Sequence, residues 1–88
     1  MTPYQRDSRI KQILLLLGKS FDYSLSLTGC GFFQDDDFFT NGYIAEVRSM
    51  GQWGWGVFHK GKSIGTYRSH MEAYDSLISH LTSPKIAV

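Results

Sequence analysis

Three histidines, one cysteine and a run of three aspartates carry most of the chemistry this 88-residue chain can offer. His59, His70 and His80 stand about ten residues apart, without the paired spacing of a local metal-binding motif. His70-Met71-Glu72 repeats the H-x-E of zinc deaminases, but the single Cys30 cannot supply the remaining ligands. Asp35, Asp36 and Asp37 offer the oxygen donors that suit calcium or magnesium. They lack the spaced ligands and the glycine of a calcium loop, so a solvated acidic loop is expected there. Cys30 lies between two glycines, in a turn open to solvent, with no local motif placing a base beside it. The expectation is a protein that is not an enzyme and needs no metal or cofactor.

Binding chemistry is better represented. The stretch GQWGWGVFHKGKSIG, residues 51–65, combines two tryptophans, five glycines, two lysines and a histidine with no acid. Arg48, Lys60, Lys62 and Arg68 are the only formal charges in residues 47–71, and all are positive. Residues 20–46 are the reverse: Asp22, Asp35, Asp36, Asp37 and Glu46, with no lysine or arginine. Segregation of this kind can mark surfaces that meet a partner, even at a net charge of +1.

The elements that must position these residues follow from periodicity. Thr2-Pro3-Tyr4-Gln5 has the N-cap, first-turn proline and capping-box glutamine of a helix start. Ile10, Ile13, Leu14 and Leu17 continue it as a stripe, broadened by Leu15 and Leu16, and Gly18 stops it. This helix is expected deep against other elements or against a second copy. Residues 21–28 alternate without fault, with Phe21, Tyr23, Leu25 and Leu27 on one face, which predicts a half-buried strand. Gly29-Cys30-Gly31 reads as a turn. Phe32, Phe33, Phe38 and Phe39 flank the aspartates as anchors of an acidic hairpin.

Asn41-Gly42 predicts a tight hairpin turn into a strand over 43–49. A second strand is expected over 53–59, a basic turn at 60–62 and a third strand over 63–67. On the middle strand Trp53, Trp55 and Val57 would share one face, with Gly54 and Gly56 on the other. The tryptophans either pack under the last helix or lie open. The mid-strand glycines admit a close neighbour, either the first helix or a ligand. Ser69 and Glu72 form a second capping box, opening a helix through about residue 81 with Ala73, Leu77 and Leu81 as its stripe. The sum is an α+β fold with an antiparallel sheet of about four to five strands and a helix at each end. Residues 1–83 are expected as one compact domain and 84–88 as a tail.

Within this pattern, residues 43–81 resemble three-stranded-sheet-plus-helix DNA-binding modules, the plant ethylene-response type and the arm-binding domains of phage integrases. The matching features are a tryptophan in the middle strand, GKSIGTY for the third strand and SHMEAYDSL for the helix start. The resemblance implies a sheet face meeting nucleic acid through Arg48, Trp53 or Trp55, Lys60, Lys62 and Arg68. The expected partner is nucleic acid or a nucleoprotein. The alternative is a small phage- or plasmid-type inhibitor, of the anti-restriction or anti-CRISPR kind. It would dock on a basic host protein through the acidic-aromatic loop at Phe33, Asp35, Asp36, Asp37 and Phe38. A homodimer through the first helix is a third expectation. The longest apolar run, Ile13 to Leu17, is too short for a membrane span, and one cysteine fits a reducing compartment. A soluble, cytoplasmic protein with no membrane partner is therefore expected.

Overall fold

A computed structural model describes residues 2–35 and 42–82. The chain runs α1 (Pro3–Leu17), β1 (Phe21–Ser26), β2 (Gly29–Gln34), β3 (Tyr43–Ser49), β4 (Trp55–His59), β5 (Lys62–Tyr67) and α2 (His70–Thr82). All five strands are antiparallel neighbours in chain order, an open meander. The fold is α+β, as the periodicity predicts.

Local chemistry sets the helix ends. Thr2 Oγ1 accepts from Gln5 N at 3.1 Å, and the Gln5 side chain accepts from Thr2 N at 3.0 Å. This is the reciprocal box that satisfies two otherwise orphaned donors. Ser69 Oγ accepts from Glu72 N at 3.1 Å at the start of α2.

Both helices lie on one side of the sheet. Ile10 and Ile13 of α1 and Ala73, Tyr74 and Leu77 of α2 form a single core with Cys30, Phe32, Ala45, Val47 and Val57. Arg9 ties the helices outside that core, its Nε 2.7 Å from Asp75 Oδ1. Bulges at Phe32/Phe33 and Val57/Phe58 break the strict alternation. They let Ile44 and Ile64 lean onto the core as well.

Four expectations need correction. Gly29-Cys30-Gly31 is not a turn but the first half of β2, with Cys30 buried. The turn is Leu27-Thr28, and the glycines answer a different need. Tyr43 lies over Gly31 in the space a side chain would fill. Second, β1 is exposed on both faces, because it is an edge strand that the helices barely reach. Third, α1 is not deep against the other elements all round: Leu15 is 84% exposed and Leu16 40%, so of the two expectations only packing against a second copy would cover them. Fourth, β4 begins at Trp55. Gly51–Trp53 forms a short 3-10 turn, so Trp53 and Trp55 do not share a strand face. Asn41, Asp36, Asp37, Phe38, Phe39 and the tail at 84–88 lie outside the described residues.

Candidate binding face of the sheet

The side of the sheet away from the helices is the site that the fold leaves open. Ala45, Val47 and Val57 point to the core, so their neighbours Glu46, Arg48, Gly56 and Phe58 point the other way. No described element covers them. The register sets Arg48 opposite Gly56 and Glu46 opposite Phe58. The Arg48 guanidinium carbon sits 4.5 Å from the centre of the Phe58 ring, a cation–π contact. Arg48 also pairs with Glu46, Nη1 to Oε1 at 3.8 Å, at the long end for an ion pair.

Aromatic and small residues extend this centre. Phe33 and Tyr43 meet with ring centres 6.3 Å apart. Tyr43 is 39% exposed, and its position over Gly31 keeps it low on the face. Beyond it, Ser24, Ser26 and Thr28 line a shallow depression of about 220 Å³ shared with Gly31, Glu46 and Arg48. A second depression of about 230 Å³ lies between Tyr43, Glu46, Arg48 and Phe58.

Three of the four sequence-selected cations fall at the two ends and the middle of this face, and Lys62 does not. Lys60 occupies the β4–β5 turn at φ 53°, with its N–H on Ile44 O at 2.8 Å. It borders a depression of about 440 Å³ with Phe21, Gln34, Tyr43 and Ile44. Lys62 opens β5 opposite His59, and with His59 and His80 of α2 it lines a depression on the helix side of the sheet. Arg48 is central. At the far end the exposed Arg68 follows β5 and lies beside Gly54. Gly54 has φ +100°, and a side chain there would strike the Tyr67 carbonyl. That close approach is why a glycine interrupts the sequence between the tryptophans. Gly56 is packed under Met50 and Phe58, each 3.0 Å from where a Cβ would stand. Neither glycine faces the first helix.

The tryptophans part company. Trp53 is 72% exposed in the 3-10 turn, at the Arg68 end. Trp55 turns to the helices and stacks on His70, with ring centres 4.0 Å apart and planes 15° from parallel. The structure therefore leaves Trp53 and Arg68 at one end, Arg48 in the middle and Lys60 at the other end, and removes Trp55 and Lys62 from the open face. Sequence reasoning missed Tyr43, Phe58 and Phe33 as members of this face. The signal was present for Phe58, since the 53–59 alternation already sets it opposite Trp55.

The groups with chemistry to offer are placed differently. Burial pushes the Cys30 thiol up to about 12, with the Tyr74 hydroxyl beside it lowering it in part. Tyr74 is raised above its ordinary value, mainly by burial and then by Cys30. Its hydroxyl finds no hydrogen-bonding oxygen or nitrogen among the described residues. His70, between Trp55 and Tyr74, is lowered by burial first and by Arg6 second. His59 Nδ1 and His80 Nε2 come within 3.0 Å although 21 residues separate them. No group of three metal-ligating side chains occurs among the described residues. Of the acidic-aromatic loop, Phe33 lies half-buried and Asp35 N donates to Ser20 O at 2.9 Å. Asp36, Asp37 and Phe38 lie outside the described residues. No described helix is long and apolar enough to cross a membrane.

No protein-family model, curated protein or solved structure matches this chain.

Proposed function

We propose that this is a non-catalytic binding protein that takes single-stranded nucleic acid on the helix-free face of its sheet. The observation that carries the reading is Arg48 over Phe58 on an uncovered sheet face, with Tyr43 beside them and cations at both ends. Exposed aromatic rings give bases a stacking platform, and Arg and Lys supply phosphate contacts along the same track. From Tyr43 to Ser49 the face runs about 20 Å, the length of a site for roughly four nucleotides.

Width favours a single strand over a duplex groove. Five strands set four spacings of about 4.8 Å, so the sheet is roughly 19 Å across its strand axes. The B-DNA major groove is about 12 Å wide and admits a helix or a two-stranded ribbon. A single strand lying on the face meets no such limit. The contact residues in this reading are Arg48, Trp53, Lys60 and Arg68, joined by Tyr43 and Phe58. The low net charge makes stacking, not phosphate attraction, the larger share of the affinity.

The test is a titration of a fluorescently labelled single-stranded oligonucleotide. Tyr43→Ala is expected to weaken binding by about 5- to 150-fold, the range for one lost base stack. Phe58→Ala, which removes the ring that holds Arg48 in place, is expected to weaken it as well. Trp55→Phe, on the other side of the sheet, is expected to leave it unchanged. Equal affinity for the wild type and both alanine variants would remove the face from the account.

A further inference from the structure

The β1 edge and the outer side of α1 form a second surface. Of the eight large hydrophobic side chains left exposed among the described residues, six lie on α1, β1 or the turn after β1. Tyr23 is 41% exposed and Leu25 38%, both on the helix side of the edge strand. Leu14 and Leu15 of α1 line an apolar depression of about 550 Å³ rimmed by Lys11, Gly18 and Lys19. The edge itself also has bonds to make. In an antiparallel pair backbone groups alternate between inward and outward. Ser26 pairs with Gly29 across the two-residue turn, so Tyr23 and Leu25 direct their N–H and C=O groups outward, while the Phe21 N–H is taken by Gly18 O at 3.4 Å. Tyr23 N fits this alternation: it donates to the Asp22 carboxylate at 2.8 Å.

We propose that this surface binds a second copy of the chain, β1 pairing antiparallel with β1 of its partner about a two-fold axis at Ser24. The strand is complementary to itself in that register. Tyr23 falls opposite Leu25 of the other copy, and Asp22 opposite Ser26, so no like charges meet. The outward groups of Tyr23 and Leu25 bond each other, displacing the Asp22 carboxylate from the Tyr23 N–H. The two α1 helices then meet across the axis through Leu14 and Leu15. Covering Leu15, Leu27, Leu16, Tyr23 and Leu25 removes roughly 400 Å² of apolar side chain per copy, at about 120 Å² for a whole leucine. A standard interface takes about 800 Å² from each partner. The apolar part is about half of that, which sets the dimer at the weak end of the range and calls for a high top concentration in its test. An isologous dimer of this kind closes on itself and leaves no sticky edge on its β1 side. It makes one ten-stranded sheet with both helix-free faces on the same side. The proposal does not depend on what that face binds.

Light scattering over a dilution series from about 500 µM to about 1 µM measures it directly. The expected mass at the top of the series is twice the 10.0 kDa of the chain. Leu15→Glu with Leu25→Glu is expected to give the 10.0 kDa species throughout, with an unchanged circular-dichroism spectrum because both residues are exposed. Tyr23→Pro, which removes an outward donor and no β1–β2 bond, is expected to raise the dissociation constant at least 100-fold. A wild-type mass of 10.0 kDa at 500 µM overturns the proposal, and so does a dimer that survives all three substitutions.

Discussion

Cys30 and His70 show how little the type of a residue says before its surroundings are known. Both carry reactive atoms, and both are held in their neutral forms by burial. For Cys30 the folded thiol ionises well above the unfolded one. Stability is therefore full below about pH 9 and falls as the unfolded chain loses its proton first. By about pH 10.5 the loss from this group approaches about 2 kcal/mol. Denaturant titrations of Cys30→Ala should show a shallower alkaline decline than the wild type, whatever the offset from the small cavity. His70 has the opposite sense. Its pKa is lowered on folding, so its contribution is full above about pH 6.5 and is lost as pH falls below that value. His70→Phe is expected to flatten the acid side of the stability profile, and Trp55 fluorescence reports the loss of the stack in the wild type. An unaltered acid limb in the variant would contradict the burial of a neutral ring.

At the level of elements, the helices were legible in the sequence and the strand ends were not. Capping residues act within four positions, so Thr2, Gln5, Ser69 and Glu72 could be read directly. Glycine is ambiguous at short range. Gly29-Cys30-Gly31 has the composition of a turn, but Gly31 is there to admit the Tyr43 ring from a strand twelve residues on. Gly54 likewise answers to the Tyr67 carbonyl on β5. Only the pairing reveals either reason. Gly54→Ala should therefore cost more than a turn glycine normally does. At φ +100° with a carbonyl in its path, the expected loss is about 3 kcal/mol or more by chemical denaturation, against about 1 kcal/mol at Gly61, where φ is also positive but the space is open. Ser69→Ala should cost about 1 kcal/mol, the usual worth of a lost helix cap.

At the scale of the whole molecule, placing both helices on one side of the sheet leaves the other side free to act. The composition already pointed to binding, through the cations of residues 47–71 and the crowding of aromatic residues. It could not say which side of the sheet would stay open, because two-residue alternation is symmetric until a helix chooses a face. The choice sends Trp55 inward and leaves Phe58, Arg48 and Tyr43 outward. In the proposed reading such a face binds by stacking, with three cations, Arg48, Lys60 and Arg68, adding phosphate contacts. The most direct measurement is fluorescence anisotropy with one oligonucleotide sequence in single-stranded and duplex form, from about 20 to 200 mM salt. The account predicts tighter binding of the single strand at every salt concentration, with log affinity falling against log salt at a slope of about −2, from three contacts at about 0.7 each. Duplex binding equal to or tighter than single-strand binding, or no binding of either at the lowest salt, would contradict it.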